Sequence, residues 1–147
     1  MITDSQIILR LVLTMVLSGS VGLERQLQRR IAGLRTHILV ALGSCLIMLT
    51  SLYVFDIYNR MANIDPARIA AGVITGVGFL GAGTIMRSEG GVKGLTTAAS
   101  LWVVAGIGLA VGCGFYSAAM FCTALVLIAL FFLRHLEDRF LPAKDRG

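Results

Sequence analysis

Polar and apolar positions along the chain segregate into long blocks instead of alternating with the period of a strand. Apolar stretches run from Gln6 to Leu23, from His37 to Phe55 and from Ala67 to Met86, and a continuous apolar run of 37 residues extends from Thr97 to Leu133. One crossing of a bilayer takes about 20 residues, so the last run is nearly twice what a single span needs. Gly112, Cys113, Gly114, Phe115 and Tyr116 lie near its middle and divide it at a tight turn. The pattern predicts an all-α, polytopic transmembrane bundle of five spans, at about 6–23, 37–55, 67–86, 96–112 and 115–133, with 1–147 forming one membrane domain. Local punctuation agrees. Thr3 and Gln6 have capping-box spacing, Thr36 and Thr96 stand where N-caps belong, and Gly33 and Gly94 precede them in loops. Asp4, the absence of a base before Arg10 and the four later spans argue against a cleaved secretory signal.

Composition narrows the solvent. Of 147 residues, 56% are hydrophobic and 14% charged, too few charges to cover a water-soluble domain, which excludes a soluble multidomain enzyme. The net charge of +5 would suggest nucleic acid in a soluble protein; in a membrane protein it poses a question of sidedness, and no nucleic-acid partner is expected. Arg25, Arg29, Arg30 and Arg35 follow the first span, Arg87 and Lys93 follow the third, and Arg134, Arg139, Lys144 and Arg146 follow the fifth. The segment from Asp56 to Pro66 holds Arg60 against Asp56 and Asp65. Five spans put all the base-rich segments on one side, which the positive-inside rule assigns to the cytoplasm, with the N-terminus outside. Tyr53, Phe55, Tyr58, Phe115 and Tyr116 gather at the opposite, outer interface.

Glycine is concentrated: 12 of 17 lie between Gly72 and Gly114. Gly72 to Gly76 and Gly108 to Gly112 are G-x-x-x-G windows, which predict close packing of the third and fourth spans, on each other or on a second copy in a homodimer. The competing reading is locally broken helix lining an ion path. Gly76, Gly78 and Gly81 also spell a dinucleotide fingerprint, but inside a membrane span the pattern lacks its βαβ setting.

Chemistry is sparse. No carboxylate sits mid-membrane, which disfavours a proton-coupled pump. Glu24, Glu89, Asp56 and Asp65 lie at span ends or in loops, where a weak interaction with hydrated Mg²⁺ is the only cofactor-like contact on offer. Arg10 is the one charge within a span; at about 10 Å from the Thr3 cap it is expected to snorkel outward, the alternatives being a pair with Asp56 or Asp65 or a polar pathway. Leu27, Ile31 and Leu34, with bases between them, predict a short amphipathic helix on the membrane that attracts anionic phospholipids. Cys45, Cys113 and Cys122 read as small apolar residues, and His37 and His135 have no metal-ligand spacing. No triad or HExxH constellation is present, and an enzyme is not expected.

Five blocks then carry a resemblance: Gly22-Leu-Glu-Arg25, Ala32-Gly-Leu-Arg-Thr-His37, Asp65-Pro-Ala-Arg68, Gly76-Val-Gly-Phe-Leu-Gly-Ala-Gly-Thr-Ile85 and Gly94-Leu-Thr-Thr-Ala-Ala-Ser-Leu-Trp102. In order and spacing the chain resembles the membrane domain of the MgtC/SapB family of bacterial membrane proteins. The resemblance implies an inner-membrane protein linked to growth at low magnesium and, in some pathogens, to survival inside host cells. For some members it implies modulation of another membrane complex, the ATP synthase, in place of the older label of Mg²⁺ transport. A sequence ending at Gly147 is expected to be the short, membrane-only SapB type or a truncated form. Carried onto this chain, the family's motif residues are Glu24, Arg25, Gly33, Arg35, Thr36, Asp65, Arg68, Gly76, Gly78, Gly81, Gly83, Thr96, Thr97, Ser100 and Trp102. Glu24, Arg35, Thr96 and Thr97 are expected to meet near the cytoplasmic face, with Glu24 paired to Arg35 or to a base of a neighbouring loop. Two functions follow: a regulatory membrane-binding partner, or a small oligomeric Mg²⁺ channel or transporter.

Overall fold

A computed structural model describes residues 2–58, 65–88 and 91–133. Arg60, Glu89, His135 and the basic tail from Arg134 to Arg146 lie outside the described residues. Helices α1 (Asp4–Leu27), α2 (Leu34–Tyr58) and α3 (Pro66–Thr84) are followed by a hairpin of β1 (Met86–Ser88) and β2 (Gly91–Lys93). Then come α4 (Leu95–Cys113) and α5 (Tyr116–Ile128), the last continuing as one π-helical turn over Ala129–Leu133. The molecule is an all-α membrane bundle, with α1 to α4 each long and apolar enough to cross a bilayer and α5 with its π turn a shorter apolar helix. The hairpin was not expected; Met86 pairs with Lys93 and Ser88 with Gly91 across it.

The ends of the helices follow from local chemistry. Gln6 accepts the Thr3 N–H at 3.2 Å, completing the expected capping box. Thr36 and Thr96, however, are not N-caps. Helix α2 begins two residues before Thr36, where Gln26 of α1 accepts the Leu34 N–H at 3.2 Å, and α4 is capped by Gly94. Gly94 is required there twice over: its φ is +92°, and a Cβ would collide with the carbonyl oxygen of Thr84. Asp65 caps α3 by accepting the Ala67 N–H at 2.8 Å, with Pro66 at the first helical position.

Helix α4 forms the centre, packed on α2, α3, α1 and α5. Lipid provides no hydrophobic drive between helices, so close backbone approach must hold them. A Cβ on Gly108 would overlap the Ala41 carbonyl oxygen, and one on Gly112 would lie 2.8 Å from Met48 Cβ and 2.9 Å from the Cys45 carbonyl oxygen. The second glycine window therefore packs on α2, while α3 and α4 pack on each other through Val73, Val77 and Ala105. Between α3 and α4 the glycine contact is Gly81 against Ala98, at 3.5 Å from a built Cβ. Gly72, Gly76, Gly78 and Gly83 have nothing within 4 Å, so the first window faces outward. Between α2 and α3 an open groove of about 700 Å³ is lined by Gly43, Gly72 and Gly76 among apolar side chains.

Candidate functional site

The buried polar residues of α1 are Arg10, Thr14, Ser18 and Arg25, which share one face of the helix with Val21 and Gly22. The buried polar residues of α2 are His37, Ser44 and Ser51, seven residues apart, and those of α4 are Thr97 and Ser100. A polar seam thus runs through the bundle interior. Most of its hydroxyls are spent on their own helix: Ser18 donates to the Thr14 carbonyl at 2.7 Å, Ser44 to Val40 at 2.8 Å, and Thr123 of α5 to Ala119 at 2.8 Å. Ser51 instead donates to the Pro66 carbonyl, tying α2 to the start of α3.

At one end of the seam lies Arg10. It is 9% exposed; Nη1 donates to the Gly112 carbonyl at 2.7 Å and Nε to the Tyr116 hydroxyl at 3.2 Å. Outward snorkelling is therefore wrong: α4 ends at a left-handed Gly114, which frees carbonyls at the turn, and the guanidinium uses one of them. Asp65 and Arg68, the other candidates of this end, are exposed, and Asp65 serves as the α3 cap. Asp4, Tyr53 and Asp56 line a small cavity at the same end.

The other end holds the cluster expected at the cytoplasmic face. Arg25 is 4% exposed and Nη1 lies 3.5 Å from Glu24 Oε2, itself on a side chain only 12% exposed. Glu24 thus pairs with its chain neighbour. Arg35 and Thr36 are exposed in the first turn of α2. Arg25 does meet Thr96 and Thr97: with Arg29, Arg30, Lys93 and Gly94 they line a cavity of about 420 Å³ between the α1–α2 turn, the hairpin and the start of α4.

The amphipathic helix expected across Leu27, Ile31 and Leu34 does not form. The Arg29 N–H donates to Gln26 O at 2.9 Å and the Arg30 N–H to Arg25 O at 3.0 Å, while Arg29 itself has φ +53°. This is a Schellman stop with arginine where glycine is usual, at a cost of about 1 kcal/mol. It ends α1 and leaves Leu27 and Ile31 exposed.

Sequence reasoning missed His37. Its ring is fully buried, with Nδ1 2.8 Å from the Gly33 carbonyl and Nε2 3.0 Å from Ser100 Oγ. A carbonyl only accepts, so Nδ1 carries a hydrogen; Nε2 lies against Ser100 Oγ, whose hydroxyl donates to the Thr97 carbonyl at 2.8 Å, and the contact joins α2 to α4. Gly22 makes room for it, since a Cβ there would lie 2.9 Å from His37 Cβ. The available signal was spacing: His37, Ser44 and Ser51 share a heptad face in an otherwise apolar helix. Among the described residues no group of three or more His, Cys, Asp or Glu side chains is placed to hold a metal.

Comparison with known proteins places this arrangement. The family model described as MgtC family matches residues 11–139. A protein of Escherichia coli (strain K12) called YhiD, whose name labels it provisionally as a magnesium transporter, is 44% identical over 128 residues, covering 86% of this chain and 60% of YhiD. MgtC of Salmonella typhimurium (strain LT2) is 42% identical over 142 residues, 95% of this chain and 58% of that protein. SapB of Bacillus subtilis (strain 168) is 42% identical over 134 residues, 88% of this chain and 57% of that protein. The chain spans about three-fifths of each of these relatives, so length does not sort it with one or another. No solved structure matches it.

Proposed function

The chain belongs to the MgtC family, and from that premise we propose that it is a bacterial inner-membrane protein of magnesium homeostasis and adaptation to low Mg²⁺. In this reading it acts as a non-enzymatic regulatory partner of another membrane complex. The observation that carries the regulatory reading is the charge at the two ends of the seam. Arg10 and Arg25 are the buried members of Lys, Arg, Asp and Glu among the described residues, one at each end. A divalent cation entering the bundle meets the Arg10 guanidinium at one end and, at the other, a Glu24 carboxylate already paired with Arg25, in a medium that screens little, and Mg²⁺ gives up its water reluctantly. The hydroxyls between are turned onto their own helices. A partner instead finds an outward-facing glycine stripe on α3, at which another helix can approach closely.

That same stripe favours the second reading, a small oligomeric Mg²⁺ channel whose path runs between copies. Purified protein in liposomes loaded with a Mg²⁺-sensitive dye separates the two. The regulatory reading expects no flux above empty vesicles from folded protein, while low-Mg²⁺ growth of a deletion strain is restored by the gene. Flux that Glu24→Gln abolishes overturns it.

A further inference from the structure

From the cavity at the basic end, we infer a binding site for a phosphate-type oxyanion, formed by Arg25, Arg29, Arg30 and Lys93 with the first turn of α4. Like charges repel, yet the fold gathers four cationic side chains, from the last turn of α1, the α1–α2 turn and the hairpin, around one cavity of about 420 Å³. The gathering is built, not accidental. Arg29 and Arg30 are delivered by a left-handed residue that any non-glycine side chain resists, and Arg25 is held 4% exposed beneath them. Opposite them α4 begins at Gly94 with no side-chain cap, and its first turn, Leu95, Thr96 and Thr97, lines the cavity, which brings the positive end of the helix dipole to it. Arginine forks and a helix N-terminus are complementary to tetrahedral oxyanions, not to cations. Exposed Ile31, Met86 and Val92 at the rim suit a phosphate that arrives on an apolar tail. An anionic lipid headgroup and free phosphate share this chemistry. The inference is independent of whether the protein regulates or conducts.

The test uses the whole chain, with Arg30→Gln and Lys93→Gln as variants because both residues are exposed and their loss leaves the packing intact. Arg29→Gly removes a charge while relaxing the turn, and Arg35→Gln, outside the cavity, is the control for charge alone. Retention of phosphatidylglycerol by native mass spectrometry from mixed phosphatidylcholine nanodiscs reads the lipid source; equilibrium dialysis of inorganic phosphate in detergent reads the free one. Saturable binding of at least one probe is expected, weakened about fivefold by each of Arg30→Gln, Lys93→Gln and Arg29→Gly and unchanged by Arg35→Gln. Preference for phosphatidylglycerol assigns the site to lipid, and preference for inorganic phosphate to a soluble ligand. Binding of neither probe by folded protein, or equal weakening by Arg35→Gln, overturns the inference.

Discussion

Arg10 shows what a single residue's depth conceals. Counting 1.5 Å per residue from the Thr3 cap gives its level in the membrane, but snorkelling depends on which face of α1 it occupies. It occupies the face shared with Thr14 and Ser18, and the nearest polar partners are those that the α4–α5 turn provides, over 100 positions away in sequence. Arg10→Met strands the Gly112 carbonyl, whereas Tyr116→Phe removes only one arm of the contact. Thermal unfolding in detergent is expected to show a loss of about 1–3 kcal/mol for Arg10→Met and under about 1 kcal/mol for Tyr116→Phe. Equal stability of Arg10→Met and the parent would mean that the guanidinium sits in water. His37 is the converse case. Its place on a heptad face with Ser44 and Ser51 is legible in the sequence, but the partners of the ring, Gly33 and Ser100, are not, because one of them lies 63 positions away on α4.

At the level of elements, hydropathy located the helices well because lipid demands uninterrupted apolar length, and it missed ends that depend on capping partners distant in sequence. Gln26, which caps α2, belongs to another helix, and the hairpin after α3 is made of three-residue strands too short for any period to register. The glycine windows are the sharper lesson. Two identical spacings have opposite environments, one pressed onto α2 and one facing outward. Gly108→Val is expected to unfold the bundle or separate α2 from α4, while Gly76→Val leaves melting temperature within a few degrees of the parent. Size-exclusion chromatography with thermal unfolding checks both, and a stable Gly108→Val protein would contradict the α2–α4 contact.

For the whole molecule, the charge bias separated two ends, and the structure agrees: the α1–α2 turn and hairpin lie together, opposite Arg10 and the α4–α5 turn. That the bases of two loops share one cavity was beyond reach, because it depends on how α4 threads among its neighbours. One further property follows from α3. It buries a single stripe, Ala70, Val73, Val77 and Gly81, while its other glycines lend it neither side-chain contacts nor stiffness. Its amides are therefore expected to trade hydrogen for deuterium well before those of α4, which is enclosed by four helices. Mass spectrometry of the exchanging protein in detergent reads that order directly; if α4 exchanged first, the bundle would open elsewhere. A helix that bares its glycines on one side while anchored along a single stripe on the other can thus loosen locally without disturbing the enclosed α4.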